Sequence, residues 1–465
     1  MSNETWQAKN LHEMGLSDRA LFNFIPKMER LGICTLAIVK NDKYFTMGVK
    51  PWHVSHPHTL FSLSKSFCSM AAGMTVEEGL LSYSDTVTDV LSDSLPEDYD
   101  PALHEVSLHH LLSMSSGLHE GSDQDPRKET DLARAILSYP VVYEPGTHFH
   151  YNTMGTYLIG RMVSKRTGMS LRDYLMPRLF EPLGIQKPQW DCCPMGYNLA
   201  GYGLHLSVTD LAKTAQLLLN RGVYQGKRLL SEDYLSRACV KQIDNYNPDQ
   251  PDHADWTQGY GYQFWMARKG RFRGDGMYGQ VMMIDPNARL AVCCTAGLNP
   301  MGDQMDAIHA LMDELTALPA ADEKEMTKLT GRIMNLTERL PEDRNEPLFG
   351  EGSYDAGEGR GFRLEILDEN TLRVMFTTPD MNVPLCFTFG RKEAHRGEFN
   401  SFVLGEGTQP YLGRFGVKDG VIRAHALMHY APYKVKLRIN AEDEGLKLQV
   451  RSIGLDNGTY RLKKY

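Results

Sequence analysis

Hydrophobic and polar positions change rhythm several times along the chain. The stretch ICTLAIVKNDKYFTMGV, Ile33 to Val49, holds two β-rich runs either side of Asn41 and Asp42, which predicts a hairpin with its turn at those two residues. From Ser62 the spacing becomes helical, with Leu63, Phe67, Met70, Ala71 and Met74 on one face and a stop near Gly79. A helix is therefore expected to begin at or just before Ser62. The middle third repeats i, i+3, i+4 spacing in SLHHLLSM, TDLARAILSYP, GTYLIGRMVSKRTG, SLRDYLMPRLFEPLG and SVTDLAKTAQLLLNRG, each ended by Gly or Pro or running into a turn. Strand candidates then return as GYGYQFWMAR and QVMMIDPNARLAVCCTAG, the second broken at Asp285-Pro286-Asn287. A last helix, QMDAIHALMDELTAL, carries a Met305, Ile308, Leu311, Leu315 stripe. This order predicts an α+β fold: an antiparallel sheet made of the first and last segments, flanked by helices, with a helical subdomain inserted between.

After Pro319 the pattern shifts again. The charged, interrupted segment AADEKEMTKLTGRIMNLTERLPEDRNEP reads as a linker with one exposed helix, and from about Leu348 nearly every segment alternates in strand fashion between turn signals such as DEN, KDG and EDEG. At 465 residues the chain exceeds what one core usually fills. The expected division is an α+β domain over 1–325, a linker over 326–347 and a C-terminal antiparallel β-barrel or sandwich over 348–465.

Composition narrows the partners. A formal charge of −8 gives no reason to expect nucleic acid or an anionic membrane, and no run of 18 apolar residues occurs. The N-terminal MSNETWQAKNLHEMGLSDRALF lacks the basic, apolar and cleavage regions of an export signal, so a cytoplasmic location is expected. In a reducing compartment the adjacent pairs Cys192-Cys193 and Cys293-Cys294 read as small buried hydrophobes. The histidine-rich HVSHPH (His53, His56, His58) and HFH (His148, His150) lie in Pro-rich loops without a carboxylate at ligand spacing, so surface or pocket-lining roles are expected and neither metal nor cofactor is. The aromatic run WTQGYGYQFW, Trp256 to Trp265, reads first as a core strand.

The candidate chemistry sits in FSLSKSF, Phe61 to Phe67, which contains Ser62-x-x-Lys65. Chance alone supplies roughly one such spacing in a chain of this size, so context decides. A serine hydroxyl at neutral pH needs a neighbouring base and donors for the oxyanion its attack creates. If Ser62 opens a helix, Lys65 lies one turn later on the same face, and the helix N-terminus contributes free N–H groups and partial positive charge.

Three further stretches, SLHHLLSMSSGL (Ser107 to Leu118), EPGTHFHYNTMGTYLIGRMV (Glu144 to Val163) and AGYGLHLSVTDLAKTAQLLLNRGVYQGKRLLS (Ala200 to Ser231), follow in order. With RGDGMYGQ, Arg273 to Gln280, ahead of a strand, they resemble the serine β-lactamase-like hydrolases, and specifically the branch of class C β-lactamases, D-aminopeptidases and esterases related to penicillin-binding proteins. The resemblance runs from about Leu11 to Leu318. It implies a β-lactamase/transpeptidase-like catalytic domain with Ser62 as the acylated nucleophile, Lys65 as its proton partner and Tyr151 as the second member of the base pair. The backbone N–H groups of Ser62 and Gln280 would form the oxyanion hole. Asn152, Thr153, Met277, Tyr278 and Gly279 would line the substrate site.

The chain departs from that family at two places. Where the family segment reads Tyr-x-Asn, this chain has Tyr151-Asn152-Thr153; where relatives carry Lys-Thr-Gly or His-x-Gly, it has Met277-Tyr278-Gly279. The cation that helps hold a β-lactam carboxylate is missing, so the expected activity is cleavage of an ester or amide, D-amino-acid peptides included, in a small neutral substrate. Two alternatives stand beside it: a true β-lactamase or D-Ala-D-Ala carboxypeptidase, and a binding or regulatory protein that has lost turnover. The β-domain is expected to cap the cleft or to build a homo-oligomer.

Overall fold

The computed structural model describes residues 6–464 apart from 120–129, 247–253, 320–321, 339, 342, 344–345, 358–359, 378–381, 390–394, 401–407, 430–433, 443–444 and 453–457. It divides into two compact units. The first comprises residues 1–48, 53–295 and 299–334, and the second 49–52, 296–298 and 335–465.

The first unit is built on six antiparallel strands: β1 (Ile33–Lys40), β2 (Lys43–Gly48), β3 (Trp265–Ala267), β4 (Arg271–Gly276), β5 (Gln280–Asp285) and β6 (Leu290–Ala296). Their order in the sheet is β2-β1-β6-β5-β4-β3, so the first and last segments of the unit do pair, through β1 and β6. Asn41 and Asp42 make the β1–β2 turn with φ of 52° and 57°, the left-handed conformation that Asn and Asp tolerate best. Among the helices that accompany the sheet are α1 (Asp18–Leu31), α2 (Ser64–Glu77), α3 (Thr153–Thr167), α4 (Val208–Leu219) and α5 (Gly302–Ala317). Ala37 and Val39 of β1, Met282 and Ile284 of β5, and Ala291 and Cys293 of β6 share one core with Phe67 and Met70 of α2, Leu158 and Met162 of α3 and Leu211 of α4. Alternate residues of each strand thus feed one face, as the two-residue period of a strand requires.

One strand is absent from the hydrophobic pattern. β4 reads RFRGDG, with no apolar alternation to signal it, yet all six residues are buried. Its polar side chains are paired inside the protein: Arg271 donates to Asp285 (2.9 Å) and Asp313 (2.6 Å), and Arg273 to Asp275 (2.9 Å). Conversely, the GYGYQFWMAR candidate yields strand only over Trp265–Ala267.

In the second unit ten strands between Gly352 and Lys464 form one antiparallel sheet. A parallel bridge, Thr388↔Arg414, joins the strand 382–388 to 408–418 and nearly closes nine of them into a barrel. Leu364, Val374, Leu385, Phe415, Leu437 and Leu448 are among the buried residues that fill it. Trp52 belongs to this unit, where its indole N–H donates to the Met428 carbonyl at 2.8 Å. Among the described residues no helix is long and apolar enough to cross a membrane.

Candidate active site

The chain enters α2 through a tight turn. Phe61 has φ of 48°, an uncommon conformation for a bulky side chain, and Phe61–Leu63 form one 3-10 turn before the α-helix starts at Ser64. Ser62 therefore sits at the very start of a helix whose residues from Ser64 to Thr75 are all buried. One turn on, the Lys65 ammonium lies 2.9 Å from Ser62 Oγ and donates to the Gly201 carbonyl at 2.8 Å. Lys65 is only 1% exposed. A buried ammonium is costly unless its hydrogens are taken up, and here Ser62 Oγ is one of the acceptors.

Tyr151 closes the group from the N-terminal side of α3. Lys65 Nζ stands 4.9 Å from the centroid of its ring. Behind it the ring stacks on Trp265 (5.3 Å, interplanar 16°), and Tyr260 meets both edge-on at 6.3 and 4.8 Å. Trp265 and Tyr260 come from the aromatic run that reads as a core strand; they act as the rigid support that fixes the Tyr151 ring. Only their abundance in the sequence hints at this.

Close approach of β4 to the Phe61–Leu63 turn depends on glycine. A Cβ on Gly276 would stand 2.1 Å from the Leu60 carbonyl oxygen and 3.1 Å from the Leu63 nitrogen. Gly201 is similar: a Cβ there would meet Thr153 Cγ2 at 2.8 Å and the Thr153 carbonyl at 2.9 Å, so only glycine lets this segment bring its carbonyl to Lys65. Thr153 itself is half-buried at the first position of α3.

Asn152 takes a different part from the substrate contact expected of it. Its Oδ1 accepts from Gly155 N (2.8 Å), capping α3, and its Nδ2 donates to the Leu118 carbonyl (3.1 Å), with the residue 2% exposed. Asn and Asp are favoured N-caps because the side-chain oxygen satisfies an N–H the helix leaves open. The carboxamide thus orients Tyr151 and Thr153 by fixing the helix they lead into.

Met277, Tyr278 and Gly279 form the turn between β4 and β5. Met277 is 53% exposed, Tyr278 has φ of 65° with its ring edge-on to Phe61 at 5.4 Å, and the Gly279 carbonyl accepts from Gln304 of α5 at 2.9 Å. Gln280 is the cross-strand partner of Gly276 on β5, and its side chain donates to the Met277 carbonyl at 3.1 Å. It lies on β5, the sheet neighbour of β4. The N–H that follows Gly276 along β4 is that of Met277.

Of the histidines, His58 is buried and its Nδ1 pairs with Thr295 Oγ1 at 2.7 Å. Among the described residues no three His, Cys, Asp or Glu side chains are grouped so as to hold a metal ion. All eight cysteines are free, and Cys192 is exposed while its neighbour Cys193 is buried.

The chain resembles several known proteins. The chain is 23% identical over 270 residues to the 6-aminohexanoate-dimer hydrolase of Paenarthrobacter ureafaciens, a match covering 52% of this chain and 66% of that one. It is 29% identical over 156 residues to a lovastatin esterase of Penicillium rubens, covering 28% of this chain and 39% of that one. These matches span about two-fifths to two-thirds of the curated relatives' own length. Among solved structures, the octameric penicillin-binding protein homologue from Pyrococcus abyssi superposes with a TM-score of 0.52 at 19% identity, over 96% of this chain and 99% of that one. That likeness extends the shared fold to both units. The model of the Beta-lactamase family matches residues 23–314, a stretch that contains Ser62, Lys65, Tyr151 and the β4–β5 turn, and the chain belongs to that family.

Proposed function

We propose that the protein is a serine hydrolase that cleaves an ester or amide bond through an acyl-enzyme on Ser62. The observation that carries this reading is the 2.9 Å contact between the buried Lys65 ammonium and Ser62 Oγ at the start of α2, with the Tyr151 ring beside it. In the first step Ser62 Oγ bonds to the substrate carbonyl carbon, and its proton passes to the Lys65–Tyr151 pair. A phenol serves as base only when a cation stabilises its phenolate, and Lys65 is the cation at hand. The pair then protonates the leaving alcohol or amine as its bond to the carbonyl carbon breaks. Water, deprotonated the same way, cleaves the acyl-enzyme and returns the proton to Ser62.

Developing charge on the carbonyl oxygen needs two donors. The Ser62 N–H is one. For the second, the contact of Gly276 with Leu60 and Leu63 favours the Met277 N–H at the end of β4 over that of Gln280, which pairs one strand away. Relatives named as a dimer hydrolase, an esterase and a penicillin-binding protein all fit ester or amide substrates, and neither Gly274-Asp275-Gly276, which precedes the proposed donor, nor Met277-Tyr278-Gly279 contains a cation. A small uncharged substrate therefore suits the site better than a β-lactam.

The test is labelling with a fluorophosphonate, alongside turnover of a short-chain p-nitrophenyl ester, a D-alanyl amide and a chromogenic cephalosporin. The reading predicts labelling and ester or amide turnover, both abolished in Ser62→Ala. Turnover surviving that substitution would reject the mechanism. No labelling and no turnover would favour a binding protein.

A further inference from the structure

We propose that the acyl side of this site selects an uncharged, apolar acyl group, and that Phe61, Met277 and Tyr278 are the residues that select it; this rests on the serine-hydrolase reading above. Two bulky residues hold left-handed backbone here, Phe61 at φ 48° and Tyr278 at φ 65°. Their rings lock edge-on at 5.4 Å with an interplanar angle of 81°. Strained backbone persists where surrounding structure over-determines it, and here the two strained positions are joined by ring contact directly beside the nucleophile. Met277 begins the same turn and stands 53% exposed, a large apolar side chain next to Gly276, which abuts the nucleophile turn. Together they make an apolar wall that reaches solvent.

Charge around this wall points the same way. The cations carried by α2 and by β4 are Lys65, Arg271 and Arg273, and they are 1%, 5% and 0% exposed. Lys65 is engaged by Ser62 and Gly201, Arg271 by Asp285 and Asp313, and Arg273 by Asp275 and the Asp255 carbonyl. None of the three is presented to a ligand carboxylate. The leaving group must face its proton source, Lys65 and Tyr151, which leaves the acyl group to the Phe61, Met277 and Tyr278 wall. A carboxylate there would give up water without gaining a counter-charge.

The experiment compares p-nitrophenyl hexanoate with mono-p-nitrophenyl adipate, which replaces the terminal methyl by a carboxylate. The wild type should favour the hexanoate in kcat/KM by about 10²-fold, the order of discrimination an apolar pocket shows against a ligand that adds a polar group. Met277→Lys, a change at a half-exposed position, should lower that preference at least tenfold by giving the adipate a partner. Equal rates on the two esters in the wild type, or an unchanged preference in Met277→Lys, would overturn the proposal. Hydrolysis of neither ester, or hydrolysis that persists in Ser62→Ala, would instead reject the serine-hydrolase reading on which it stands.

Discussion

At the residue scale the site rests on glycines as much as on its reactive groups. Gly276 has no special backbone angle to satisfy; it is needed because any side chain would strike the Leu60 carbonyl. Gly276→Ala should therefore push the nucleophile turn off β4, and misplacements near 1 Å cost on the order of 10²-fold in rate. A fall in kcat/KM of that size, with the thermal unfolding midpoint only modestly lowered, is the expected outcome. Unchanged kcat/KM would mean that β4 does not hold the turn. Ser62 and Lys65 were legible in the sequence because their spacing is tied to one helical turn. Asn152 was not: the side chain of a residue entering a helix is as suited to capping as to binding, and the choice depends on the Leu118 carbonyl, 34 positions away, and on Gly155.

At the scale of elements, the hairpin at Asn41-Asp42, the helix at Ser62 and the sheet formed from the first and last segments all follow from hydrophobic period and turn chemistry. β4 does not, because its burial is bought by ion pairs with residues up to 42 positions away rather than by apolar side chains. The turn after it has a support of the same long-range kind. Gln304 on α5 holds the Gly279 carbonyl at 2.9 Å and also donates to Cys294 Sγ at 3.2 Å. Gln304→Leu should loosen the Met277–Gly279 turn, which contributes the proposed second oxyanion donor. Because that donor acts on charge that develops during reaction, kcat should fall roughly 10-fold or more while KM changes little. A change confined to KM would show that the turn contacts only the ground state.

For the whole molecule, the all-β character of the C-terminal unit could be read from alternation, whereas the inclusion of residues 49–52 in that unit could not, since Trp52 is a single aromatic in a loop. Stability should respond to acid through groups outside the Ser62, Lys65 and Tyr151 cluster. Burial, with the nearby charges of His110 and Arg237, pulls the pKa of His109 below its usual 6.5, and its Nδ1 lies 2.6 Å from the Tyr262 hydroxyl. The folded chain thus binds fewer protons than the unfolded one just below that pH, so stability from this group is full above about 6.5 and is lost as pH falls through the lower folded value. Asp255 adds a second acid transition. Burial would raise its pKa, but hydrogen bonds from His309 and Arg268 and the charge of Arg273 reverse this and hold it well below the usual range. Its contribution is present above about 4 and lost only in stronger acid. Urea midpoints should therefore decline between pH 7 and 5, and His109→Gln should flatten that decline. A pH-independent midpoint over this range would contradict it.

The central claim is that catalysis passes through a covalent bond to Ser62 Oγ. Intact-mass analysis of the protein quenched during turnover of a slowly deacylated p-nitrophenyl ester tests it most directly. The expected result is a mass increase equal to one acyl group, mapped by peptide sequencing to Ser62 and absent in Ser62→Ala. Turnover without any adduct, or an adduct on another residue that survives Ser62→Ala, would contradict it.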